Sequence, residues 1–284
     1  EIPRFQSAME AIGIRPTYFT NYQVSRVGWA ADALKGAAEG GRAEIAAHIH
    51  PWNTPPLEGD PFGTNTMLKN LPVALQIAKL RFLTEHHRQV YGQLPVSFRA
   101  GRHGLGPELL KPLVELGYRV DSSVTPFWDW KAFDNGPDFT RAPMRVYRVN
   151  PNGRVDDEAE NGALVELPLS CGFNHTSYES CVRVDRLLRS RPMTALHAPG
   201  IGYRTGLLQR LMLSPETSTL DEMVTLTRTL LARGVNYLQI SIHSSSLLPG
   251  LSPFVDTWAE LNRRIYDTLG HYVERLSRFA TPVP

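Results

Sequence analysis

The apolar positions of this chain recur in two alternating periods, which predict helices and strands in turn. Near the start, Ile2, Phe5, Met9 and Ile12 are spaced as on one face of a helix, and Gly13 is typical of a helix end. Short, mostly apolar runs between the helical segments are typical of buried strands. The pattern predicts helices over 1–13, 29–39, 70–91 and 106–116, and strands over 15–20, 45–50, 96–100 and 118–124. Helices that alternate with strands indicate an α/β fold with a parallel sheet or barrel.

The alternation breaks over residues 125–204, where proline, glycine, asparagine and aspartate are frequent. Two strand-like runs, 144–149 and 163–169, stand in this stretch with a polar segment between them. We interpret it as an irregular insertion that carries a β-hairpin over one face of the fold. Such a stretch either shapes a substrate groove or is a surface elaboration, and its composition does not choose between the two.

The regular pattern returns after the insertion. A helix is predicted to begin after Thr219, a favourable N-cap, and to end at Gly234. A buried strand over 235–242 and an amphipathic helix over about 253–279 follow. No internal repeat and no linker is evident, so we predict a single domain over residues 1–284.

Two histidines stand at the end of the predicted strand 45–50. Residues two apart in an extended strand point to the same face, so His48 and His50 are expected to project side by side. Neutral imidazoles bind divalent zinc, nickel, cobalt or iron, but two of them leave the metal shell incomplete. A third protein ligand, preferably a carboxylate, must then come from elsewhere. The alternative is a strand end with two solvated histidines.

Other candidate residues also stand at predicted strand ends, where function collects in parallel α/β folds. Arg99 and Arg102 follow one strand, and at least one of them is expected to face a carboxylate or an anionic transition state. The alternative is that both are surface residues on a glycine loop. Asp121 could orient a histidine or an arginine, although Asp-Ser-Ser is equally a loop-capping sequence. His243 ends the strand 235–242, where an imidazole suits proton transfer or a structural role.

The remaining histidines have weaker claims. His86, His87 and His271 lie on predicted helices and are expected to be solvated, and His103 is expected to be a loop residue. His197 in the insertion is an outside candidate for the site.

Composition excludes some classes of function. The 284 residues carry a formal charge of +2, with no block of lysine or arginine, so no nucleic-acid partner is expected. No apolar run approaches the roughly 20 residues that a transmembrane helix needs. Cys171 and Cys181 are interpreted first as free thiols and second as a disulfide, and they do not identify a compartment. The lack of a visible anchor favours the cytoplasm, with periplasm or secretion as alternatives.

Taken in order, four short motifs resemble those of a known superfamily. They are His48-x-His50-Pro-Trp52, then Phe-Arg99-Ala-Gly-Arg102, then Asp121-Ser-Ser, and then an apolar strand ending in Ile-His243-Ser. This order is similar to the polysaccharide deacetylase (NodB homology, carbohydrate esterase family 4) superfamily and, within it, to the WalW-like branch. The resemblance implies a distorted (β/α)7 barrel that removes N- or O-acetyl groups from sugars with a divalent metal, commonly zinc.

The resemblance also implies roles for individual residues. His48 corresponds to the first metal-binding histidine, and His50 is given the second place, although the family usually has that histidine where this chain has Trp52. Arg99 corresponds to the arginine that orients the catalytic aspartate, and His243 corresponds to the general acid. Asp121 lies in the region of the fourth motif, which Asp129-Trp130 also resembles.

Two departures from the family pattern concern the substrate and the acidic residues. Arg102 stands where many relatives have a tyrosine, and it is expected to hold the substrate together with Trp52. Trp128 and Trp130 could offer further faces for sugar rings. The acidic motif that supplies the base and a third metal ligand is expected on a first strand upstream of Glu1.

The sequence therefore predicts a metal-dependent carbohydrate deacetylase, with an acetylated saccharide or glycoconjugate as its substrate. Metal-activated water would attack the acetyl carbonyl, and His243 would protonate the leaving group. Two alternatives remain open: an amide hydrolase that acts on a non-sugar substrate, and a catalytically inactive saccharide-binding relative.

Overall fold

The computed structural model describes residues 1–190, 192, 200 and 204–278. These residues belong to two compact units, Glu1–Pro168 and Leu169–Val283. The boundary lies inside the stretch 125–204, so the insertion is shared between the units and the single domain over 1–284 stays a prediction.

The first unit is built on a six-stranded sheet. Its strands are β1 (Thr17–Thr20), β2 (Glu44–Ile49), β3 (Ser97–Ala100), β4 (Val120–Asp121), β5 (Tyr147–Val149) and β6 (Leu164–Glu166). They lie in the order β1-β2-β3-β4-β6-β5. All neighbours are parallel except β5, which pairs with β6 in the antiparallel sense. An α/β fold with a mostly parallel sheet is confirmed, while the closed seven-stranded barrel stays a prediction.

Helices of the first unit connect the parallel strands, as the alternating pattern predicts. They are α1 (Ile2–Ala11), α2 (Tyr22–Ser25), α3 (Gly28–Ala38), α4 (Val73–Tyr91) and α5 (Leu110–Glu115). Helix α4 begins after Pro72 and ends at Gly92, whose φ of 75° is the left-handed conformation that glycine adopts without steric cost. The sheet and helices enclose one apolar core. Among its fully buried members are Ile49, Leu80, Leu83, Phe98, Leu110 and Leu113.

Strand β4 is much shorter than the predicted strand 118–124. The Asp121 carboxylate accepts hydrogen bonds from the Ser123 backbone N–H at 3.0 Å and from the Ser123 hydroxyl at 2.7 Å. This local side-chain to backbone bond competes with the sheet ladder and ends the strand at Asp121. The loop-capping interpretation of Asp-Ser-Ser is therefore confirmed.

The predicted hairpin is present in the first unit. Strands β5 and β6 form it, and β6 also lies parallel to β4, with Glu166 beside Asp121 in the register. The insertion thus contributes a strand to the main sheet and places a second carboxyl group next to Asp121.

The second unit combines a small sheet with several helices. Strands β7 (Cys171–Phe173) and β8 (Arg210–Met212) are antiparallel. The helices are α6 (Tyr178–Leu188), α7 (Leu220–Ala232), α8 (Trp258–Leu261) and α9 (Thr268–Leu276), with a π-helical turn over Asn262–Asp267. Thr219 caps α7 as predicted, because its side chain accepts from the Glu222 N–H and the Glu222 carboxylate accepts from the Thr219 N–H. Cys171 and Cys181 are both free thiols and both buried.

The predicted strand over 235–242 is wrong. The segment is irregular in secondary structure. The Gln239 N–H donates to the Ser170 hydroxyl at 2.8 Å, and the Ser241 N–H donates to the Leu213 carbonyl at 3.1 Å. These two bonds join the segment to the residue before β7 and to the residue after β8.

Within the described part of the chain, no helix combines the length and the apolar character that crossing a membrane requires.

Helix α4 buries a histidine that its pattern predicts to be solvated. His87 is 1% exposed, and its Nε2 lies 3.1 Å from the Thr20 carbonyl at the end of β1. Burial lowers the pKa of His87 to about 4, with a smaller contribution from His86. The prediction for His87 is wrong because one face of α4 packs against the sheet. His271, in contrast, is exposed as predicted.

We predict that His87→Gln makes the protein more resistant to acid. The unfolded state binds a proton on His87 below about pH 6.5, whereas the folded state does so only near pH 4, so wild-type stability falls between these values. The glutamine amide can still donate to Thr20. The free energy of unfolding of the variant minus that of the wild type should increase by about 3 kcal/mol when the pH is lowered from 7.5 to 4. One pKa unit corresponds to about 1.4 kcal/mol. Urea unfolding at both pH values measures this gain, and equal pH dependence in the two proteins would contradict the prediction.

Candidate functional site

His48 lies in β2 and His50 directly follows the strand, and their side chains turn towards each other. Nε2 of His48 lies 3.1 Å from Nε2 of His50, and the rings are nearly perpendicular with their centroids 4.5 Å apart. The side chains thus project to one side of the sheet, as the spacing of the two residues predicts.

A backbone carbonyl orients His48. Strand β2 pairs with β3 so that His48 faces Arg99, and Nδ1 of His48 lies 2.8 Å from the Arg99 carbonyl oxygen. A carbonyl only accepts, so Nδ1 carries the proton and Nε2 holds the lone pair in the neutral ring. Burial, and next the neighbouring His50, hold the pKa of His48 well below its ordinary value. His48 is therefore neutral, with its lone pair directed at His50.

These two histidines fit half of a metal shell. Two imidazole nitrogens that share one tetrahedral zinc ion at about 2.0–2.1 Å are about 3.3 Å apart, slightly more than the separation of 3.1 Å. The bond from Nδ1 to a carbonyl is the usual outer-shell support of a histidine ligand. Within residues 1–190 and 204–278 no group of three or more histidine, cysteine, aspartate or glutamate side chains is arranged to hold an ion. The pair offers two imidazole nitrogens, and a stable metal site would need further ligands.

Gly101 allows His50 to take its position. A Cβ atom at residue 101 would lie within 3 Å of the Ile49 carbonyl and of two atoms of the His50 ring. The backbone of the loop after β3 therefore passes directly against the imidazole, which only a residue without a side chain permits. This contact accounts for the glycine in the Phe-Arg-Ala-Gly-Arg motif.

A buried lysine holds the loop that follows His50. Lys79 of α4 is 2% exposed, and its ammonium donates to the carbonyls of Pro51, Thr54 and Pro56 at 3.0, 2.6 and 2.7 Å. Three carbonyls satisfy the three donors of the ammonium, which offsets the cost of burying the charge. The loop is thereby fastened to α4 on both sides of Trp52.

Trp52 and Arg102 form a mixed aromatic and cationic surface beside His50. The indole of Trp52 stacks on the His50 ring with the centroids 4.3 Å apart. The Arg102 guanidinium lies 5.1 Å from the Trp52 ring centre and 5.2 Å from that of Phe133, and it forms a 2.8 Å ion pair with Asp134. Arg102 adopts a φ of 54°, a left-handed conformation that is uncommon outside glycine. Flat ring faces beside a planar cation can contact a sugar ring and its hydroxyl groups.

Trp130 is linked to this surface through Phe133, whose ring centre lies 6.4 Å from its own. Trp130 stacks on His103 with the centroids 5.5 Å apart, and its indole N–H donates to the Thr125 hydroxyl at 2.8 Å. Asp129, the alternative to Asp121 in the fourth motif, is exposed and accepts from the Lys131 N–H. Its carboxylate supports a surface turn.

Arg99 is fixed by the strand next to it. Its Nε donates to the Ser122 carbonyl at 2.8 Å, its second terminal nitrogen donates to the Ser122 hydroxyl at 2.9 Å, and the guanidinium lies 4.1 Å from the Phe19 ring centre. The planar cation is therefore held between β1 and the end of β4. A group held this rigidly can orient an anion, as the resemblance implies for Arg99.

Asp121 belongs to a buried pair of carboxyl groups. Asp121 and Glu166 are both fully buried and occupy facing positions of β4 and β6. Glu166 accepts from the Val124 N–H at 3.1 Å. Burial raises the pKa of both groups, and the neighbouring Asp121 carboxylate raises the pKa of Glu166 further. Two adjacent carboxyl groups in a dry environment avoid carrying two negative charges, so the pair retains a proton to higher pH than a solvated acid.

His243 belongs to the second unit. Its Nδ1 lies 2.8 Å from a carboxylate oxygen of Glu216, whose side chain is 3% exposed, whereas the His243 side chain is 74% exposed. His197 lies outside the described residues.

The structure thus gathers five of the predicted residues, His48, His50, Trp52, Arg99 and Arg102, in the first unit. Three buried charged residues escaped the sequence analysis. Glu166 interrupts the apolar run Leu-Val-Glu-Leu, which is a signal of a buried carboxylate. Lys79 and Glu216 stand in ordinary helix and loop patterns and offer no such signal.

The chain was compared with protein families, curated proteins and solved structures. No family model and no curated protein matches this chain. Among solved structures, the chain is similar to a Mycobacterium smegmatis protein provisionally named a polysaccharide deacetylase. The two share 15% sequence identity with a TM-score of 0.49, over 100% of this chain and 79% of that chain. At this identity, residue roles do not transfer from that protein to this chain.

We predict that Glu166→Gln stabilises the first unit at alkaline pH. Because the pKa values of Asp121 and Glu166 are raised in the folded state, wild-type stability falls as pH rises above the unfolded value of about 4. The glutamine carries no charge and keeps an oxygen for the Val124 N–H. The variant should be more stable than the wild type at pH 8.5, and its advantage should be smaller at pH 5.

Urea unfolding followed by tryptophan fluorescence measures the difference, since four of the five tryptophans lie in the first unit. Glu115→Gln is the matched control, because Glu115 is an exposed helical residue paired with Lys111. A stability gap that is the same at both pH values would show that the Asp121–Glu166 pair does not retain a proton.

Proposed function

We propose that this protein is a metal-dependent hydrolase that removes acetyl groups from a sugar or polysaccharide, with N-acetyl groups as the favoured target. The observation that supports the proposal is the convergence of the His48 and His50 Nε2 atoms at 3.1 Å, with His48 oriented by the Arg99 carbonyl. The proposal includes the distorted (β/α)7 barrel of the NodB type and the WalW-like branch that the four motifs resemble.

His48 and His50 would hold one divalent ion, with zinc preferred and nickel, cobalt or iron as other ions for these ligands. When bound, the ion supplies Lewis acidity towards a carbonyl oxygen and lowers the pKa of a bound water. The third ligand would be a carboxylate of the acidic motif that the resemblance assigns upstream of Glu1.

Other residues of the chain would bind the substrate, orient the catalytic base and donate the proton. Trp52 and Arg102 would bind the saccharide, because an aromatic face and a planar cation lie next to His50. Arg99, fixed by Ser122, would orient the catalytic base. Asp121 supports Arg99 through its negative charge, and its burial beside Glu166 argues against direct contact with substrate. His243 would protonate the leaving nitrogen or oxygen.

We predict that the purified protein binds about one zinc or similar ion per chain and that His48→Ala loses it. Removal of one of two nitrogen ligands eliminates a large part of the affinity of the site. Metal content is measured by mass spectrometry after equilibration with zinc, and cobalt absorption gives a second readout of the coordination. His271→Ala, an exposed histidine of α9, is the matched control and should bind as the wild type does.

Hydrolysis is tested with an oligomer of N-acetylglucosamine and with an O-acetylated xylan, and released acetate is measured. Acetate release by the wild type and loss of release in His48→Ala are expected. A folded wild type that binds no metal after zinc addition would contradict the proposal and favour a saccharide-binding protein. Metal binding without acetate release, together with hydrolysis of non-sugar amides, would show that the substrate is a non-sugar amide and not a saccharide.

A further inference from the structure

Three connecting segments of the first unit meet at the Arg102 guanidinium. Nη1 of Arg102 donates to the Asp134 carboxylate oxygen Oδ2 at 2.8 Å and to the Thr66 hydroxyl oxygen at 3.0 Å. The Thr66 hydroxyl oxygen in turn lies 2.7 Å from the same Oδ2 atom. Residues 66, 102 and 134 belong to three different segments of the chain, so these bonds fasten the ion pair from several sides. The fold therefore sets the geometry of the pair.

Two aromatic rings flank the same guanidinium. Its central carbon lies 5.1 Å from the Trp52 ring centre and 5.2 Å from the Phe133 ring centre. Both contacts are cation–π interactions, which hold a planar cation against the ring. Trp52 also stacks on the His50 ring. The Arg102–Asp134 pair and the candidate metal ligand His50 are thus joined by a single indole.

The backbone on both sides of the ion pair adopts conformations that are uncommon for residues with a side chain. Arg102 and His103 have φ values of 54° and 60°, and Asp134 and Asn135 have φ values of 49° and 52°. In the part of the chain that the structure describes, these are four of the five non-glycine residues with positive φ. Residues held in this region cluster at ligand-binding sites, because the surrounding contacts must hold them there. This clustering is a second reason to regard the pair as a site.

The described residues use only part of the hydrogen-bonding capacity of the pair. Nη1 makes the hydrogen bonds of the guanidinium, and Oδ2 makes those of the carboxylate. Among the residues that the structure describes, no group accepts from Nε or Nη2 of Arg102, and none donates to Oδ1 of Asp134. The two side chains are 36% and 30% exposed. Two donors and one acceptor thus remain for a ligand.

This combination of groups matches the hydroxyl groups of a neutral sugar. A hydroxyl group both donates and accepts, so one hydroxyl can donate to Oδ1 while its neighbour accepts from the guanidinium. The flanking ring faces suit the apolar face of a pyranose. An ionised carboxylate on the sugar only accepts, and the negative charge of Asp134 repels it. The pair therefore favours hydroxyl groups over anionic groups.

We propose that Arg102 and Asp134 form a saccharide subsite for a neutral sugar unit, with Asp134 as the residue that determines specificity against acidic sugars. Oδ1 of Asp134 accepts from one hydroxyl group, the guanidinium donates to another, and Oδ2 keeps the guanidinium in place. The inference rests on the proposed function, in which Trp52 and Arg102 bind the saccharide, and it adds the class of sugar that is bound.

Asp134→Asn reverses the polarity of the subsite and keeps its shape. Nη1 of Arg102 can only donate, so the amide oxygen must occupy the position of Oδ2. The amide NH2 group then takes the position of Oδ1, where it donates instead of accepting. The substitution also removes the negative charge that offsets Arg102. We expect the variant to lose affinity for a neutral sugar and to gain affinity for an acidic one.

A matched pair of probes without acetyl groups measures this change in the absence of turnover. Cellotetraose is neutral, and the corresponding tetramer of glucuronate has a carboxylate in place of each hydroxymethyl group. Binding to the full-length protein is followed through the indole N–H signal of Trp52, which is the NMR signal lost in Trp52→Phe. The wild type should bind cellotetraose at least about tenfold more tightly than the glucuronate tetramer. In Asp134→Asn, cellotetraose binding should weaken about 10- to 100-fold and the glucuronate tetramer should bind more tightly than to the wild type.

Two further variants separate the subsite from a general disturbance of the loops. Asp32→Asn changes an exposed aspartate of α3 that pairs with Lys35, and it should bind both probes as the wild type does. Arg102→Lys keeps the positive charge but loses the planar fork of donors. It should weaken cellotetraose binding without improving binding of the glucuronate tetramer. Unchanged cellotetraose binding in Arg102→Lys would contradict the subsite independently of Asp134→Asn.

Acetate release from the N-acetylglucosamine oligomer measures the consequence for hydrolysis. Asp134→Asn should raise KM about 10- to 100-fold and leave kcat within about threefold, because a contact made equally with substrate and transition state affects KM alone. The metal content of the variant should equal that of the wild type, since Asp134 is not a candidate ligand. A lower kcat with unchanged KM would contradict a role in binding the sugar.

The subsite and the proposed function fail in different ways. A wild type that binds the two probes equally, or that does not bind cellotetraose, would overturn the subsite whether or not acetate is released. Unchanged probe binding in Asp134→Asn would limit the ion pair to the support of the loops. Selective binding of cellotetraose that depends on Asp134, in a protein that releases no acetate, would overturn the proposed hydrolase and leave the subsite in a saccharide-binding protein.

Discussion

The parallel register of β2 and β3 is the constraint on which the candidate site depends. It sets His48 opposite Arg99, so that one backbone carbonyl receives the Nδ1 proton of His48 and leaves the Nε2 lone pair directed at His50. A shift of one residue would turn His48 and His50 to the other face of the sheet. The same register carries Gly101 against the His50 ring, where a larger residue would collide with it. The chemistry of the site is thus a consequence of strand pairing, and the loops add to it.

Buried charges organise the regions around the strand ends, and each is compensated in a different way. The Lys79 ammonium is surrounded by three carbonyls of the loop that carries Trp52. Asp121 and Glu166 are adjacent acids, and burial raises the pKa of both. Glu216 has three hydrogen-bond contacts, to the backbone N–H and ring of His243 and to the Ser246 hydroxyl. An isolated buried charge is costly, so each of these groups orders the backbone or side chains that satisfy it.

Most of the fold was accessible from the pattern of apolar residues. The helices and parallel strands of the first unit follow the predicted order, because periods of 3.6 and 2 residues reflect local geometry and burial of one face. The failures have local physical causes. The strand at 118–124 is cut short because the Asp121 side chain bonds to Ser123. The segment 235–242 is apolar enough for a strand but is irregular, with the Gln239 N–H donating to the Ser170 hydroxyl and the Ser241 N–H to the Leu213 carbonyl.

The sequence by itself determined the α/β class, the hairpin, and the placement of His48, His50 and Arg99 at strand ends, because these depend on spacing along one element. Only the tertiary structure decided which distant residues meet. The partnership of Glu216 with His243 joins positions 27 residues apart through a turn that no local pattern announces. The burial of His87 and Glu166 likewise depends on which face another element covers. Chain spacing sets the direction of a side chain within its own helix or strand, whereas its partner is set by packing between elements.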